Sequence, residues 1–405
     1  MKGLRRNESA TADQLRSATR QAFAAAVDFA IDEAIPLVVI AGDLFDDAWE
    51  DMATGLWVVG EFRRLQEAGI RVCLIRGNHD SKSTVRARIR WPENVFEFGT
   101  DAAETWTSDE LGVAVHGQSF AARAETRDLA AAYPGRVDGC LNIGVLHTSL
   151  DGDASHSTYA PTSLDVLYDR GYDYWALGHI HKRHIYDGPV AVAYAGNMQG
   201  RHIRETGPKG GLLVTVDGAA PAIEFVPFDS TRWAVAGVTA EADDTVDDLQ
   251  GKAMAALANV RGEADGRLSA VRVRIEGVTE AHAGLCRVDG ENRFETELRL
   301  EAARHGDLWI ERVAVATQPP ANLDAIRADA GVLAMLLDTI DRGDANSQTD
   351  ATEDAGSLAA VESLAKKFGR HGITFDDCGI DIDGRIGDWL QAARGQLLTG
   401  LSQNE

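Results

Sequence analysis

Short apolar runs alternate with amphipathic stretches along the first 228 residues of the chain. Apolar residues spaced three and four apart from Leu15 to Ile31 predict a helix, with Thr11 and Gln14 as its capping box. A second helix is predicted over 52–68. Five mostly apolar runs predict buried strands at 36–41, 70–75, 141–146, 174–177 and 190–195. Because strands this apolar must be covered on both faces, the pattern predicts an α/β sandwich.

Each predicted strand is followed by a glycine, by a ligand-type side chain, or by both. The five endings are Gly42-Asp43, Asn78-His79-Asp80, His147, Gly178-His179-Ile180-His181 and Gly196-Asn197. In layered α/β folds such strand ends meet at one crevice, where ligands bind. We therefore expect these side chains to lie together.

The donor types at these strand ends favour a metal site. Carboxylate, amide and imidazole groups bind Mn, Fe or Zn ions, and the absence of cysteine from the set argues against a structural zinc site. His179 and His181 lie two apart in an extended segment, so both can point to the same side; the alternative is a surface loop with ordinary histidines. Two ions about 3.5–4 Å apart that share a carboxylate can clamp a phosphoryl group. Asp43 is suited to that shared position.

Charge is distributed unevenly along the chain. The 405 residues include 63 acidic and 40 basic ones, a net charge of −23 that would repel a polyanion if it were spread evenly. Two segments are basic although the chain as a whole is acidic. One covers 81–90 with Arg86 and Arg88, and the other covers 200–210 with Arg201, His202 and Arg204. We predict that both runs bind substrate, although each could also be a solvated surface.

The N-terminus and the cysteines indicate the cellular compartment. The first residues are polar, and no run approaches the roughly 20 apolar residues of a membrane span. The 4 cysteines are scattered and predict neither a disulfide framework nor a metal knuckle. These features predict a cytoplasmic protein.

Four motifs in this order, "GDLFD", "GNHD", "LHTSL" and "GHIH", resemble the calcineurin-like metallophosphoesterases. The stretch "GNMQGRHIRETGPKG" is similar to the SbcD-type DNA repair exonucleases, near the YhaO group. The resemblance is strong over residues 1–230 and weaker over 231–320. It implies a four-layer α/β/β/α sandwich and two divalent metal ions, with Mn²⁺ expected and Fe or Zn as alternatives.

The same resemblance assigns individual residues. Asp43 corresponds to the bridging ligand, and His181 belongs to the first metal. His79 corresponds to the catalytic histidine that orients the phosphodiester or protonates the leaving oxygen. The second metal is completed by Asn78, His147 and His179. His184 has no counterpart in the family, and we expect it to lie on the surface.

One motif of the family is missing from this sequence. Family members begin with a strand that ends in Asp-x-His and supplies two ligands to the first metal, whereas the first histidine here is His79. A start codon placed too late would explain this, and so would true degeneration of the site. As written, the chain is expected to be poorly active, with one well-held ion.

The sequence predicts three regions. Residues 1–228 form the nuclease domain, and 229–320 form a small α+β domain that caps the nuclease site in SbcD-type proteins. Residues 321–405 form a helical tail with an acidic linker at 343–357. The tail resembles the segment that docks on a coiled-coil, SMC-like ATPase of the SbcC or YhaN type, although a self-packing helical hairpin would give the same pattern. A homodimer is a further expectation.

Three functions are compatible with these features. The first is a metal-dependent exonuclease or endonuclease that acts on DNA, which the basic runs and the predicted cap favour. The second is a phosphodiesterase for small substrates, which the core motifs permit and the acidic charge supports. The third is a non-catalytic scaffold, which the missing Asp-x-His motif would produce.

Overall fold

The computed structural model describes residues 10–45, 52–82, 89–150, 159–218, 221–286 and 293–320. The chain divides into two compact units, Met1–Arg232 and Trp233–Glu405. The predicted tail and acidic linker, 321–405, lie outside the described residues. Among the residues that are described, no helix is both long enough and apolar enough to cross a membrane.

The first unit contains two main sheets. A three-stranded parallel sheet has the order β1-β2-β3, with β1 at Leu37–Ile40, β2 at Arg71–Leu74 and β3 at Val95–Glu97. A six-stranded sheet has the order β4-β5-β6-β7-β9-β8. Its strands are β4 (Glu104–Ser108), β5 (Val113–Gly117), β6 (Leu141–His147), β7 (Tyr174–Gly178), β8 (His184–Tyr186) and β9 (Ala191–Tyr194).

The central strands of the six-stranded sheet, β5, β6, β7 and β9, are parallel, whereas the edge strands β4 and β8 are antiparallel to their neighbours. Parallel neighbours place their carboxyl ends at one edge of the sheet, and this edge carries His147 and Gly178. A hairpin follows, with β10 at Gly210–Thr215 and β11 at Ala222–Pro227.

Three apolar clusters define the layers of this unit. Cys73 and Ile75 from the β2 region pack with Val115 and Val145 of the six-stranded sheet, so this cluster joins the two sheets. Helices α1 (Ala10–Asp32) and α2 (Met52–Glu67) cover the outer face of the first sheet through residues such as Val27 and Phe62.

On the opposite side of the unit, Trp175 and Leu146 pack with Leu167 of α3 (Leu164–Asp169). The helices and sheets that these clusters join form the four-layer α/β/β/α sandwich that the resemblance implied. Helix α1 already includes Thr11, so the prediction of a capping box with Thr11 outside the helix was wrong.

The second unit pairs helices with one sheet. Its strands are β12 (Thr231–Ala240), β13 (Leu268–Val278) and β14 (Leu308–Gln318), in the order β12-β13-β14. Its helices are α4 (Val246–Glu263), α5 (His282–Leu285) and α6 (Arg293–His305). The alternate residues Val271, Val273 and Ile275 of β13 are fully buried against the helices. An α+β arrangement with its own core results.

Candidate metal centre

The candidate site lies where strands of both sheets end. Asp43 follows β1, Asn78 follows β2, His147 is the last residue of β6 and His179 follows β7. Asp43 and His179 have positive φ angles, 54° and 96°, and so does Gly42 at 93°. Residues other than glycine rarely adopt positive φ angles, and those that do cluster at functional sites. The turns after β1 and β7 therefore have an uncommon backbone conformation at the point where the candidate site lies.

The side chains at these strand ends converge. Nε2 of His147 lies 2.9 Å from Oδ1 of Asn78 and 3.3 Å from Oδ2 of Asp43. Nδ1 of His179 lies 3.3 Å from the same Oδ1 of Asn78. One ligand atom each from Asp43, His147 and His179 can be chosen so that all lie within 4.8 Å of one another.

The chemistry of these atoms is that of a cation site. Nδ1 of His147 lies 2.8 Å from the carbonyl oxygen of Ala41 and donates its proton to it, because a carbonyl can only accept. In the neutral ring this leaves Nε2 as a lone pair that faces two oxygen acceptors. Acceptors that face one another this closely need a cation or a proton between them. The donor set of carboxylate, amide oxygen and imidazole fits a divalent metal ion.

Two glycines allow the side chains to approach this closely. A Cβ added to Gly42 would lie 2.6 Å from Nδ1 of His147. A Cβ added to Gly77 would contact Oδ1 of Asp43 and lie 2.6 Å from Cε1 of His147. The glycines of the "GDLFD" and "GNHD" motifs are therefore required by packing against the site.

Asp80, buried below the site, organises the two loops that carry Asp43 and Asn78. Its carboxylate accepts hydrogen bonds from the backbone N–H groups of Leu44, Phe45 and Gly77 at 3.2, 2.9 and 3.1 Å. Burial, together with the nearby charge of Asp43, raises the pKa of Asp80. Asp80 therefore joins the two loops, a role that the sequence alone did not indicate.

Electrostatic contacts hold Asp43 in its ionised form. Burial opposes ionisation, but the contact with His147, when a proton lies between the two groups, and the hydrogen bond from the backbone N–H of His79 outweigh it, so the pKa of Asp43 is lowered. The His79 amide donates to Oδ1 of Asp43 at 2.9 Å. The partly buried His79, predicted to be catalytic, thus lies beside the cluster and contacts a ligand through its backbone.

His181 lies in a different environment from the three clustered residues. Its Nδ1 is 2.7 Å from Oε1 of Glu205 and 3.5 Å from Nη2 of Arg201. Burial alone would raise the pKa of Glu205, but His181 and Arg201 lower it to about 2. Glu205 was not predicted from the sequence. The only signal was an acidic residue four positions after Arg201 in a run otherwise interpreted as basic.

The residues predicted to bind substrate are only partly described. Arg201, His202 and Arg204 are exposed, and His202 lies 3.8 Å from Glu205. Burial and the neighbouring arginines lower the pKa of His202 against the opposing effect of Glu205. Arg86 and Arg88 lie outside the described residues.

Comparison with known proteins identifies the family. The family model described as calcineurin-like phosphoesterase matches residues 16–183, and the model described as metallophosphoesterase YhaO, middle domain, matches residues 233–318. The uncharacterized metallophosphoesterase YhaO of Bacillus subtilis (strain 168) is 34% identical over 342 residues, which cover 81% of this chain and 80% of that protein.

More distant similarity extends to proteins called DNA double-strand break repair protein Mre11. The protein of Sulfurisphaera tokodaii is 26% identical over 221 residues, 51% of this chain and 56% of its own length. That of Sulfolobus acidocaldarius is 26% identical over 218 residues, 50% of this chain and 56% of its own length. The chain thus spans a little over half of these two relatives.

Fold, site and relatives agree on the class. The chain belongs to the YhaO family of calcineurin-like metallophosphoesterases, which are hydrolases that use divalent metal ions.

Proposed function

We propose that this protein is an SbcD-like nuclease that hydrolyses phosphodiester bonds of DNA with two divalent ions, and that Mn²⁺ is the ion it uses. The convergence of Asp43, Asn78, His147 and His179 on one point carries the proposal, because these side chains present acceptors to one another. The choice of DNA is supported by relatives whose names assign them to DNA double-strand break repair.

Each side chain then has a role. Asp43, Asn78, His147 and His179 would hold one ion, and Asp43 and His181 would contribute to the other. When bound, the ions would supply Lewis-acid stabilisation of charge on the transferred phosphoryl group. The chain itself would orient the phosphodiester and provide a proton to the leaving oxygen.

His79 is the residue proposed for that proton. Its backbone N–H already contacts Asp43, and this bond does not depend on the imidazole. A substitution of the imidazole therefore leaves this bond in place, and we assign the side chain to the substrate rather than to the ions. An acid or base placed in this way contributes about 10²–10⁴-fold to a rate.

The test compares His79→Ala with Asp43→Ala in metal content and in Mn²⁺-dependent cleavage of duplex DNA. We expect His79→Ala to keep its metal and to lose about 10²–10⁴-fold in cleavage rate. His184→Ala is the control, because His184 is exposed on β8. Loss of metal by His79→Ala as complete as in Asp43→Ala would show that the assignment is wrong. Turnover of a small phosphodiester without cleavage of DNA would select the small-substrate alternative.

The basic surface is tested separately by its salt dependence. Removing Arg201 and Arg204 together by Ala substitution should flatten the plot of log affinity for duplex DNA against log salt by about 0.9 for each phosphate that is no longer neutralised. Arg63→Ala, an exposed arginine on α2, is the control. An unchanged slope would show that Arg201 and Arg204 do not neutralise phosphates and belong to an ordinary solvated surface.

Two proposals about partners depend on the chain beyond residue 320. We propose that the helical tail predicted there binds a coiled-coil, SMC-like ATPase and that the protein forms a homodimer. The tail's predicted amphipathic helices are the only support for this. Co-purification of the ATPase with the full chain, but not with a chain ending at residue 320, would test the first, and sedimentation of the full chain the second.

A further inference from the structure

A buried carboxylate lies beside the half-exposed His181. The side chain of Glu205 is 7% exposed, whereas that of His181 is 37% exposed. Oε1 of Glu205 lies 2.7 Å from Nδ1 of His181, and Oε2 accepts the backbone N–H of Arg201 at 2.8 Å. Each oxygen of the carboxylate is therefore engaged by a different donor.

The loop that carries Glu205 is held at several points. The backbone N–H of Glu205 donates to the carbonyl of His202 at 2.9 Å. Earlier in the loop, the Gln199 amide donates to the carbonyl of Thr231 at 2.6 Å and accepts the N–H of Ser230 at 2.9 Å. These bonds restrict the position of the carboxylate, so that it can in turn restrict the imidazole.

The bond to Glu205 selects one form of the imidazole. An ionised carboxylate can only accept a hydrogen bond, so the proton of neutral His181 must lie on Nδ1. Nε2 then carries the lone pair and is the nitrogen that can bind a metal ion. Metal-binding histidines generally donate their other ring N–H in this way, and loss of the partner costs about 10–100-fold in metal affinity.

We propose that Glu205 is the positioning residue of His181, and that it fixes the imidazole tautomer and ring orientation that present Nε2 to a metal ion. The inference rests on the proposed function, which makes His181 a ligand of the first metal. Glu205 acts through His181, because both of its oxygens already accept hydrogen bonds from the protein.

The isosteric variant Glu205→Gln gives a sharp test. A glutamine has one oxygen and one NH₂ group, whereas the site supplies donors to both positions. If the oxygen accepts from Arg201, the NH₂ donates to Nδ1 of His181 and moves the imidazole proton to Nε2. A merely structural carboxylate would tolerate this replacement, but a positioning residue would not.

Binding of Mn²⁺ is measured by titration calorimetry on the full chain with Glu205→Gln, Glu205→Ala and His181→Asn. The control Asp244→Asn removes another buried carboxylate, one that accepts from the N–H of Glu241 and from Lys252, both at 2.7 Å, in the second unit. We expect both Glu205 variants to lose about 10–100-fold in the Mn²⁺ affinity that depends on His181. Asp244→Asn should keep wild-type affinity.

A second readout needs no variant of Glu205. The ¹⁵N chemical shifts of His181 in the metal-free wild-type protein in alkaline buffer, assigned through His181→Asn, should show a protonated Nδ1 and an unprotonated Nε2. A proton on Nε2 would overturn the inference, and so would unchanged Mn²⁺ affinity in Glu205→Gln when His181→Asn binds Mn²⁺ more weakly. If His181→Asn itself binds Mn²⁺ like the wild type, the proposed role of His181 fails instead.

Discussion

Two fully buried histidines on neighbouring strands, His116 of β5 and His147 of β6, have opposite surroundings. The ring nitrogens of His116 lie 2.8 Å from Oγ1 of Thr105 and 3.0 Å from Oδ1 of Asn142. A hydroxyl can donate to Nδ1 and an amide oxygen can accept from Nε2, so a neutral ring satisfies every group. The ring also stacks on Tyr172, with 4.2 Å between centroids.

The surroundings of His147 cannot be completed in the same way. One nitrogen donates to the carbonyl of Ala41, but the other faces the oxygens of Asn78 and Asp43. Burial is the same at both positions, so burial does not separate a structural histidine from a ligand. The difference lies in the neighbouring groups. Around His116 each ring nitrogen of a neutral imidazole has a matching donor or acceptor, whereas around His147 the unprotonated ring nitrogen faces only acceptors.

The largest effect is expected from making the same substitution at both histidines. His147→Asn should lower Mn²⁺ affinity by at least about 100-fold, since the loss of a direct ligand exceeds the effect of losing a ligand's partner. His116→Asn should keep wild-type affinity and lose about 1–3 kcal/mol of stability, because buried polar partners become unsatisfied. Titration calorimetry and urea unfolding measure the two quantities. Equal metal affinity in the two variants would remove the distinction drawn between them.

A smaller loss of Mn²⁺ affinity is expected from a substitution that keeps every metal ligand and changes only the distances between them. The added Cβ of Gly77→Ala would lie against Asp43 and His147, so we expect a loss of Mn²⁺ affinity of about 10–100-fold, like that of disturbing a ligand's support.

The matched control is Gly60→Ala within α2, where an added Cβ meets nothing within 4 Å. A glycine in a helix interior costs about 0.5–1 kcal/mol relative to alanine, so this control should bind normally and gain stability. Wild-type Mn²⁺ binding by Gly77→Ala would show that the close packing seen at this glycine is not required.

Much of this arrangement could be predicted from the sequence, because the chemistry sits directly after apolar strands. The runs that predicted β1, β2, β6, β7 and β9 are apolar enough to be recognised without context. Where two such strands run parallel and adjacent, their ends share an edge, and this brings the residues after them together.

Other parts could not be predicted, for identifiable physical reasons. Strand β4 is mostly exposed and β3 has three residues, so neither shows an apolar run. In β12 both faces carry small apolar side chains, and the alternation of buried Ala236 and Val238 with exposed Val235 is hidden. The pairing of Glu205 with His181 joins residues 24 positions apart through a loop, and such a contact has no local pattern.

Metal binding should also stabilise the fold, by an amount that grows with the logarithm of the free Mn²⁺ concentration above Kd. At a free Mn²⁺ concentration 100 times Kd, the wild-type protein should gain about 2.7 kcal/mol, and His116→Asn should gain the same amount. Asp43→Asn should gain much less at the same Mn²⁺ concentration, since the carboxylate is lost. Asparagine is chosen because it tolerates the positive φ of 54° at this position. Thermal unfolding with and without Mn²⁺ measures the gain, and an equal gain in Asp43→Asn would contradict the role of Asp43.

The smallest effect concerns pH and tests whether His116 stays neutral. Burial lowers the pKa of His116 in the folded protein below its ordinary value, against a smaller opposing effect of Asn142. As the pH falls below about 6.5, His116 binds a proton in the unfolded chain but not in the folded protein, so the free energy of unfolding decreases. The loss is at most about 1.4 kcal/mol per pH unit until the lowered pKa is reached. His116→Asn cannot take up this proton, so its free energy of unfolding should fall less than that of the wild type between about pH 7.5 and about pH 5.5. Groups common to both proteins cancel in this difference, and identical losses would show that His116 takes up its proton equally well in the folded and unfolded states.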